Sequence, residues 1–261
     1  MDIGVCTGVE DAVALASAGA GYLEVNVQQF LKPTREAAAF EESRRRVVAC
    51  PLPLRAANGF LPGELKSTGP NFNPDGVCDY AAVAFERAAA VGIEHIVFGS
   101  GGSRGLPEGF DPDQASDQFV ELLGRLGPIA GRFGVTVVVE PLARRECNFL
   151  NTVAEGAAVV QRVDHPSIRL LADIYHMLQN EEAPDSLSQH GHLIAHTHVA
   201  ERADRTCPGI AGDDFRAFFR ALAEGGYAGR MSIEGRFPHG IETDAPTAVA
   251  TLRGQFQDAG A

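Results

Sequence analysis

Tryptophan is absent from the 261 residues, lysine occurs twice, and basic groups are outnumbered 22 to 34 by acidic ones. The resulting net charge of −12 repels a phosphate backbone unless the cations gather on one face. The longest basic run, Arg44 to Arg46, stands beside Glu41 and Glu42 in a helix-like stretch and reads as a solvated face, so no nucleic-acid partner is expected. The five cysteines are odd in number and never spaced C-x-x-C, which predicts free thiols in a reducing compartment. A charged n-region ahead of an apolar segment is missing, as is any apolar run of about 18 residues, so neither secretion nor a membrane is expected and the cytoplasm is the default. The glycine fingerprint of a dinucleotide-binding turn is also missing, because Gly8-Val9-Glu10-Asp11 follows the first apolar run. Gly99-Ser100-Gly101-Gly102 lacks the lysine of a phosphate-binding loop and reads as a flexible loop.

What is present is regular. With 45% apolar and 21% charged residues the chain can bury a full core. Short runs rich in Val, Ile and Leu alternate with longer alanine-rich segments of helical periodicity. Eight strands are predicted: Asp2 to Thr7, Tyr22 to Asn26, Val47 to Leu54, His95 to Gly99, Val135 to Glu140, Ile168 to Asp173, Leu193 to Val199 and Met231 to Glu234. Helices are predicted over Val9 to Ala18, Asp79 to Val91, Ala115 to Phe133, Thr152 to Val163, Phe215 to Glu224 and Ala245 to Phe256, with Gly92, Gly134 and Gly225 as terminators. Near-continuous apolar strands imply burial on both faces, as in a parallel sheet covered by helices. Eight such units predict one α/β domain over residues 1–261, a (β/α)8 TIM barrel. The Pro- and Gly-rich stretch from Asn58 to Asp75 is expected to cover the mouth.

Active sites of such barrels lie at the carboxyl ends of the strands, so a polar residue that closes an apolar strand carries weight. Glu140 closes VTVVVE, Asp173 closes IRLLAD, His198 closes LIAHTH and Glu234 closes MSIE. Three carboxylates in a ring one barrel wide repel one another unless a cation neutralises them. Hard oxygen ligands with one imidazole point to a single divalent ion, Mn²⁺ first, with Mg²⁺, Co²⁺ or Zn²⁺ as alternatives. Of the other histidines, His95 opens its strand and reads as structural, whereas His165, His190, His192 and His239 fall at helix ends or in loops. His196 shares a strand face with His198 and is either a rival ligand or its outer partner. His176, three residues past Asp173, can be turned over the metal by a loop.

With these residues placed, the chain resembles the xylose isomerase-like TIM barrel (sugar phosphate isomerase/epimerase) superfamily, and within it the D-tagatose 3-epimerase and D-psicose (allulose) 3-epimerase group. EPLARRE (140–146) resembles that group's E-P-L-x-R-x-E, and DIYHM (173–177) its D-x-x-H-M. HTHVAERADRTCPG (196–209) resembles H-x-H-x-x-E-x-x-R-x-x-P-G with one residue inserted, and SIEGRF (232–237) the final strand. The resemblance implies metal binding by Glu140, Asp173, His198 and Glu234, with Glu140 and Glu234 also the catalytic acid and base. It further implies substrate contacts by Glu146, His176 and Arg205, with Arg202 a substitute for Arg205 because of the insertion. The first half departs from that group's pattern, which has aromatic residues after the first strand where this chain has Cys6-Thr7-Gly8.

The expected reaction follows from elementary chemistry. A carbon-bound proton beside a ketone becomes removable when a metal stabilises the enediolate. One carboxylate takes the proton from one face and a second returns it from the other, inverting the carbon; return to the neighbouring carbon gives aldose–ketose isomerisation. The expected partner is therefore a small sugar or keto acid, and a homo-oligomer is compatible with everything above. A dehydratase of inosose or dehydroshikimate and a hydroxypyruvate isomerase would use the same site. An endonuclease IV-like nuclease is disfavoured by the charge and by the lack of histidine before His95, and a sugar-binding barrel without catalysis is the non-enzymatic reading. For a phosphorylated substrate, Arg104, Arg202 and Arg205 are the candidate cations.

Overall fold

The computed structural model describes residues 1–260. Eight parallel strands close into a barrel in chain order: β1 (Asp2–Cys6), β2 (Tyr22–Asn26), β3 (Leu54–Asn58), β4 (His95–Phe98), β5 (Thr136–Val139), β6 (Ile168–Asp173), β7 (Ile194–Val199) and β8 (Arg230–Ile233). Closure is made by β1 on β8, with Ile3 opposite Met231 and Val5 opposite Ile233. Helices α1 (Ala12–Ala18), α2 (Ala37–Val47), α3 (Pro74–Ala90), α4 (Gly101–Arg104), α5 (Pro112–Arg132), α6 (Val153–Val163), α7 (Ile174–Gln179), α8 (Asp185–His190), α9 (Arg216–Glu224) and α10 (Ile241–Ala259) occupy the connections. No described helix is long and apolar enough to cross a membrane.

The main core lies between the strands and the helices, and a small apolar cluster of Val97, Val138 and Leu171 fills part of the barrel interior. The other part is polar, with Glu24, His196 and Ser232 all fully buried.

Helix starts follow their caps. Asn73 accepts from the Gly76 amide and Asp111 from the Asp113 amide, each followed by a proline in the first turn, so α3 and α5 begin before the apolar periodicity does. A capping box of Thr152 and Glu155 opens α6 where the sequence places it. Gly92 and Gly134 take the left-handed conformation after α3 and α5, but behind α9 that role falls to Gly226 and not to Gly225.

Two expectations are corrected. The third strand is Leu54–Asn58 rather than Val47 to Leu54, because Val47 still belongs to α2 and Pro51 and Pro53 lack the amide protons a central strand needs. Gly101–Arg104 is a helical turn rather than a flexible loop, and it pins the long 58–75 connection. Lys66 Nζ donates to the Gly102 carbonyl (2.7 Å), the Ser67 amide to that of Ser103 (3.1 Å) and the Thr68 hydroxyl to that of Arg104 (2.9 Å). The connection is thus a fixed wall of the mouth, anchored below by the buried Phe60.

Candidate metal centre

The ends of β5 to β8 bring one ligand atom each from Glu140, Asp173, His198 and Glu234 within 4.8 Å of one another. Asp173 and His198 lie within their strands, whereas Glu140 and Glu234 stand one residue past β5 and β8. Their amides still continue the ladder, Glu140 to Phe98 O (3.3 Å) and Glu234 to Val199 O (3.1 Å), so all four side chains are set by sheet geometry. Glu140, Asp173 and His198 are buried; Glu234 is partly open and forms the outer side. Asp173 divides its carboxylate: Oδ1 caps α7 by accepting from the Tyr175 amide (2.8 Å), leaving Oδ2 for the site.

Two unit charges of like sign held within 4.8 Å cost about 3 to 4 kcal/mol even at an effective dielectric of about 20. The side chains register that conflict. Burial, with the neighbouring carboxylates, pushes Asp173 well above the usual carboxylate range and Glu140 upward. Burial acts on Glu234 in the same sense, but the charges of His198 and Arg205 prevail and hold it low.

His198 is oriented from behind. Its Nε2 lies 2.9 Å from Glu24 Oε1, which leaves Nδ1 facing the carboxylates, 3.3 Å from Glu140 Oε1 and 3.4 Å from Glu234 Oε2. Burial works to lower the His198 imidazole, but the Glu24 and Glu234 carboxylates outweigh it and raise it well above its usual range, so Nδ1 would give up a proton where a cation takes its lone pair. Glu140 Oε1 and His198 Nδ1 are both buried without a hydrogen-bond partner. An unpartnered carboxylate oxygen and an unpartnered imidazole nitrogen beside two further carboxylates suit a divalent cation with an oxygen-rich shell, so the residues fit the ion that the sequence calls for.

The remaining site candidates also converge here. His176 Nε2 lies 3.5 Å from Asp173 Oδ2 and 3.9 Å from Glu140 Oε1. Burial and then the Arg205 charge depress its imidazole to about 3, so it is neutral. Arg205 Nη2 contacts Asp173 Oδ2 (3.3 Å) and Glu234 Oε2, its Nη1 lies 3.6 Å from Glu146 Oε2, and the guanidinium covers the Tyr175 ring at 4.4 Å. Arg202 points elsewhere, to Glu181 on the surface (3.4 Å). Asp204 and Arg205 are consecutive left-handed residues in this loop. Glu201 ties the loop together by accepting from the Gly209, Ala211 and Gly212 amides and the Thr206 hydroxyl.

Arg104 does not face the site as a phosphate-binding cation. It is fully buried and spends its guanidinium on the carbonyls of Phe98 (3.1 Å) and Glu140 (2.5 Å), joining the ends of β4 and β5.

His196 is not a member of the quartet. Its Nε2 lies 2.8 Å from Glu24 Oε2, and His95 stacks on its ring at a centroid distance of 5.5 Å. Glu24 is the residue that sequence reasoning passed over, although a charged residue inside the apolar run YLEVN was the signal. Asn58 was also missed; its Nδ2 donates to Glu234 Oε1 (2.7 Å). So was Gly99, where an added Cβ would stand 2.2 Å from Glu140 Oε2.

Comparison with known proteins supports the barrel fold. The chain is 31% identical over 112 residues to 3-dehydro-D-guloside 4-epimerase of Escherichia coli (strain K12), covering 42% of each protein. It is 27% identical over 188 residues to a putative hydroxypyruvate isomerase of Mus musculus, covering 69% of this chain and 65% of that one. The matched segments thus span 42% to 65% of the lengths of these relatives. The crystal structure of D-psicose 3-epimerase from Clostridium cellulolyticum H10 with D-tagatose superposes with a TM-score of 0.84 over 98% of this chain and 99% of that one, at 19% identity, a likeness of fold. The family model of the xylose isomerase-like TIM barrel matches residues 12–255, and the chain belongs to that family.

Proposed function

We propose that the protein is a divalent-metal-dependent isomerase or epimerase of a small sugar or related keto compound, built on a single (β/α)8 domain, with Mn²⁺ the first choice of ion. The observation that carries this reading is the quartet at the ends of β5 to β8, with Glu140 Oε1 and His198 Nδ1 buried and unpartnered. The names of the relatives, an epimerase of a keto-glycoside and a putative isomerase of hydroxypyruvate, support the same proton chemistry.

Glu140, Asp173, His198 and Glu234 would hold the ion. Its positive charge would make the proton beside a substrate ketone removable. Glu140 and Glu234 supply the two proton-carrying groups. Glu234, held low by His198 and Arg205, is ionised and suited to accept a proton, and Glu140, at the end of β5, is the second proton carrier. Asn58 and Arg205 fix the Glu234 carboxylate from two sides. Glu146, His176 and Arg205 present a carboxylate, a neutral imidazole and a guanidinium, a set that can hold substrate hydroxyl and carbonyl oxygens.

The test is deuterium incorporation from D₂O into the carbon beside the ketone of D-psicose, D-fructose and hydroxypyruvate with Mn²⁺-loaded protein. Glu234→Gln is expected to keep the fold and lower incorporation by about 10² to 10⁴. Incorporation at the wild-type rate in that variant would overturn the two-glutamate reading. Product analysis then separates epimerisation from isomerisation and from loss of water.

A further inference from the structure

The cavity directly over the quartet is small, about 190 Å³, and is bounded by Asn58, Glu140, His176, Arg205 and Glu234 among others. Small-molecule sites usually occupy about 300 to 1,000 Å³. A second and larger cavity of about 560 Å³ opens beside it, over the ends of β1, β2 and β3. The two adjoin: Asn58 lines both, and the larger one reaches Cys6 and Glu24, whose ligand atoms lie within 4.8 Å of one on His198.

The lining of the larger cavity has a consistent chemistry. Thr7, Asn26, Gln29, Ser43 and Asn58 offer hydroxyl and amide groups, and Lys32, which donates to the Ala39 carbonyl (3.3 Å), stands in the same lining as the carboxylate of Glu24. The buried Phe30 supplies an aromatic ring in the same wall. The guanidinium of Arg46 is neutralised by Glu10 at 2.7 Å, so this pair adds little net field. Polar groups whose two cations, Lys32 and Arg46, are balanced by two carboxylates, Glu10 and Glu24, beside an aromatic ring match a hydroxyl-rich ring better than an apolar or polyanionic group.

We propose that the cavity over β1–β3 is a subsite for a second glycosyl unit, so that the substrate is a keto-sugar carrying a glycosidic substituent rather than a free ketose. The proposal rests on the proposed function, since it extends the substrate of that site. The reacting ring occupies the small cavity over the quartet, and the substituent passes Asn58 into the larger one. Gln29 and Ser43 are then specificity-determining residues that touch the substituent and take no part in proton transfer.

Binding and turnover separate the two claims. Calorimetry of Mn²⁺-loaded wild-type protein with methyl β-glucoside and methyl β-cellobioside, neither of which carries the ketone, should show at least about tenfold tighter binding of the two-ring probe. Gln29→Ala should reduce that ratio, and Ser43→Leu, which fills the cavity, should bring the two-ring probe down to the affinity of the one-ring probe. Equal affinities in the wild type, absence of binding by both probes, or a preference that survives both variants would overturn the subsite. The proposed function is judged separately by deuterium incorporation into D-psicose and into methyl 3-keto-β-glucoside. Its absence from both with a measurable two-ring preference would sink the proton chemistry and leave the subsite standing.

Discussion

Two buried carboxylate–imidazole clusters meet at His198, and they differ in how completely they satisfy themselves. Behind the ring, Glu24 is closed: its Oε2 contacts His196 (2.8 Å) and Ser232 (2.6 Å), its Oε1 contacts His198 (2.9 Å), and Tyr22 lies 2.8 Å from Ser232. Two imidazoles offset the desolvation of this carboxylate and hold it well below its usual range. In front of the ring, three carboxylates share His198, the neutral His176 and part of one guanidinium, and a carboxylate oxygen, Glu140 Oε1, is buried with no partner. Behind it the unpartnered atom is an imidazole nitrogen, His196 Nδ1, and both Glu24 oxygens are bonded. A closed polar cluster specifies a geometry, whereas an open one of the same residue types specifies a ligand.

That contrast predicts a graded set of effects. The largest belongs to the open cluster: His198→Ala should reduce Mn²⁺ affinity by more than the roughly 10- to 100-fold that loss of an outer partner costs, as measured by calorimetry. Glu24→Gln, an isosteric change in the closed cluster, should fall inside that 10- to 100-fold range, because the amide is neutral and has one acceptor oxygen where Glu24 offers one to His198 and one to His196. Equal losses in the two variants would erase the distinction between ligand and support. Gly99→Ala should leave the ion bound but push the Glu140 carboxylate aside, lowering the deuterium-exchange rate by about 10- to 100-fold through misplacement of the proton carrier.

The smallest effect is one of pH. Burial works to raise the Glu201 carboxyl, but the Ala211, Gly212 and Gly209 amides and the Thr206 hydroxyl outweigh it and lower the folded-state value. The loop therefore gains stability above the ordinary glutamate value of about 4.3, and loses it as pH falls through the depressed one. Amide exchange at Gly209, Ala211 and Gly212 should accelerate in acid, and Glu201→Gln should remove that pH dependence.

The same contrast explains what the sequence made legible. Each quartet member closes or directly follows an apolar run, a local signal that survives without knowledge of any partner. The support is non-local: Glu24 stands 172 residues from His196 and Asn58 stands 176 from Glu234, so their roles appear only when the barrel closes. Strand periodicity exposed seven strands, but the third, LRAAN, has small and polar residues in place of the β-branched ones, and the signal drifted to the preceding Val47–Val48 at the end of α2. Arg104 is one of the three candidate cations in the sequence, yet burial commits it to two backbone carbonyls.

The central claim is that the open cluster is completed by one divalent ion. Metal analysis after gel filtration in Mn²⁺, paired with thermal unfolding, tests it most directly. Wild-type protein should retain one Mn²⁺ per chain and unfold at a higher temperature with the ion than without it, since an ion that binds only the folded state stabilises it by about 2.7 kcal/mol at 100 times its Kd. Asp173→Asn should retain none and lose the difference in Tm. One ion per chain and an unchanged Tm difference in Asp173→Asn would contradict the account.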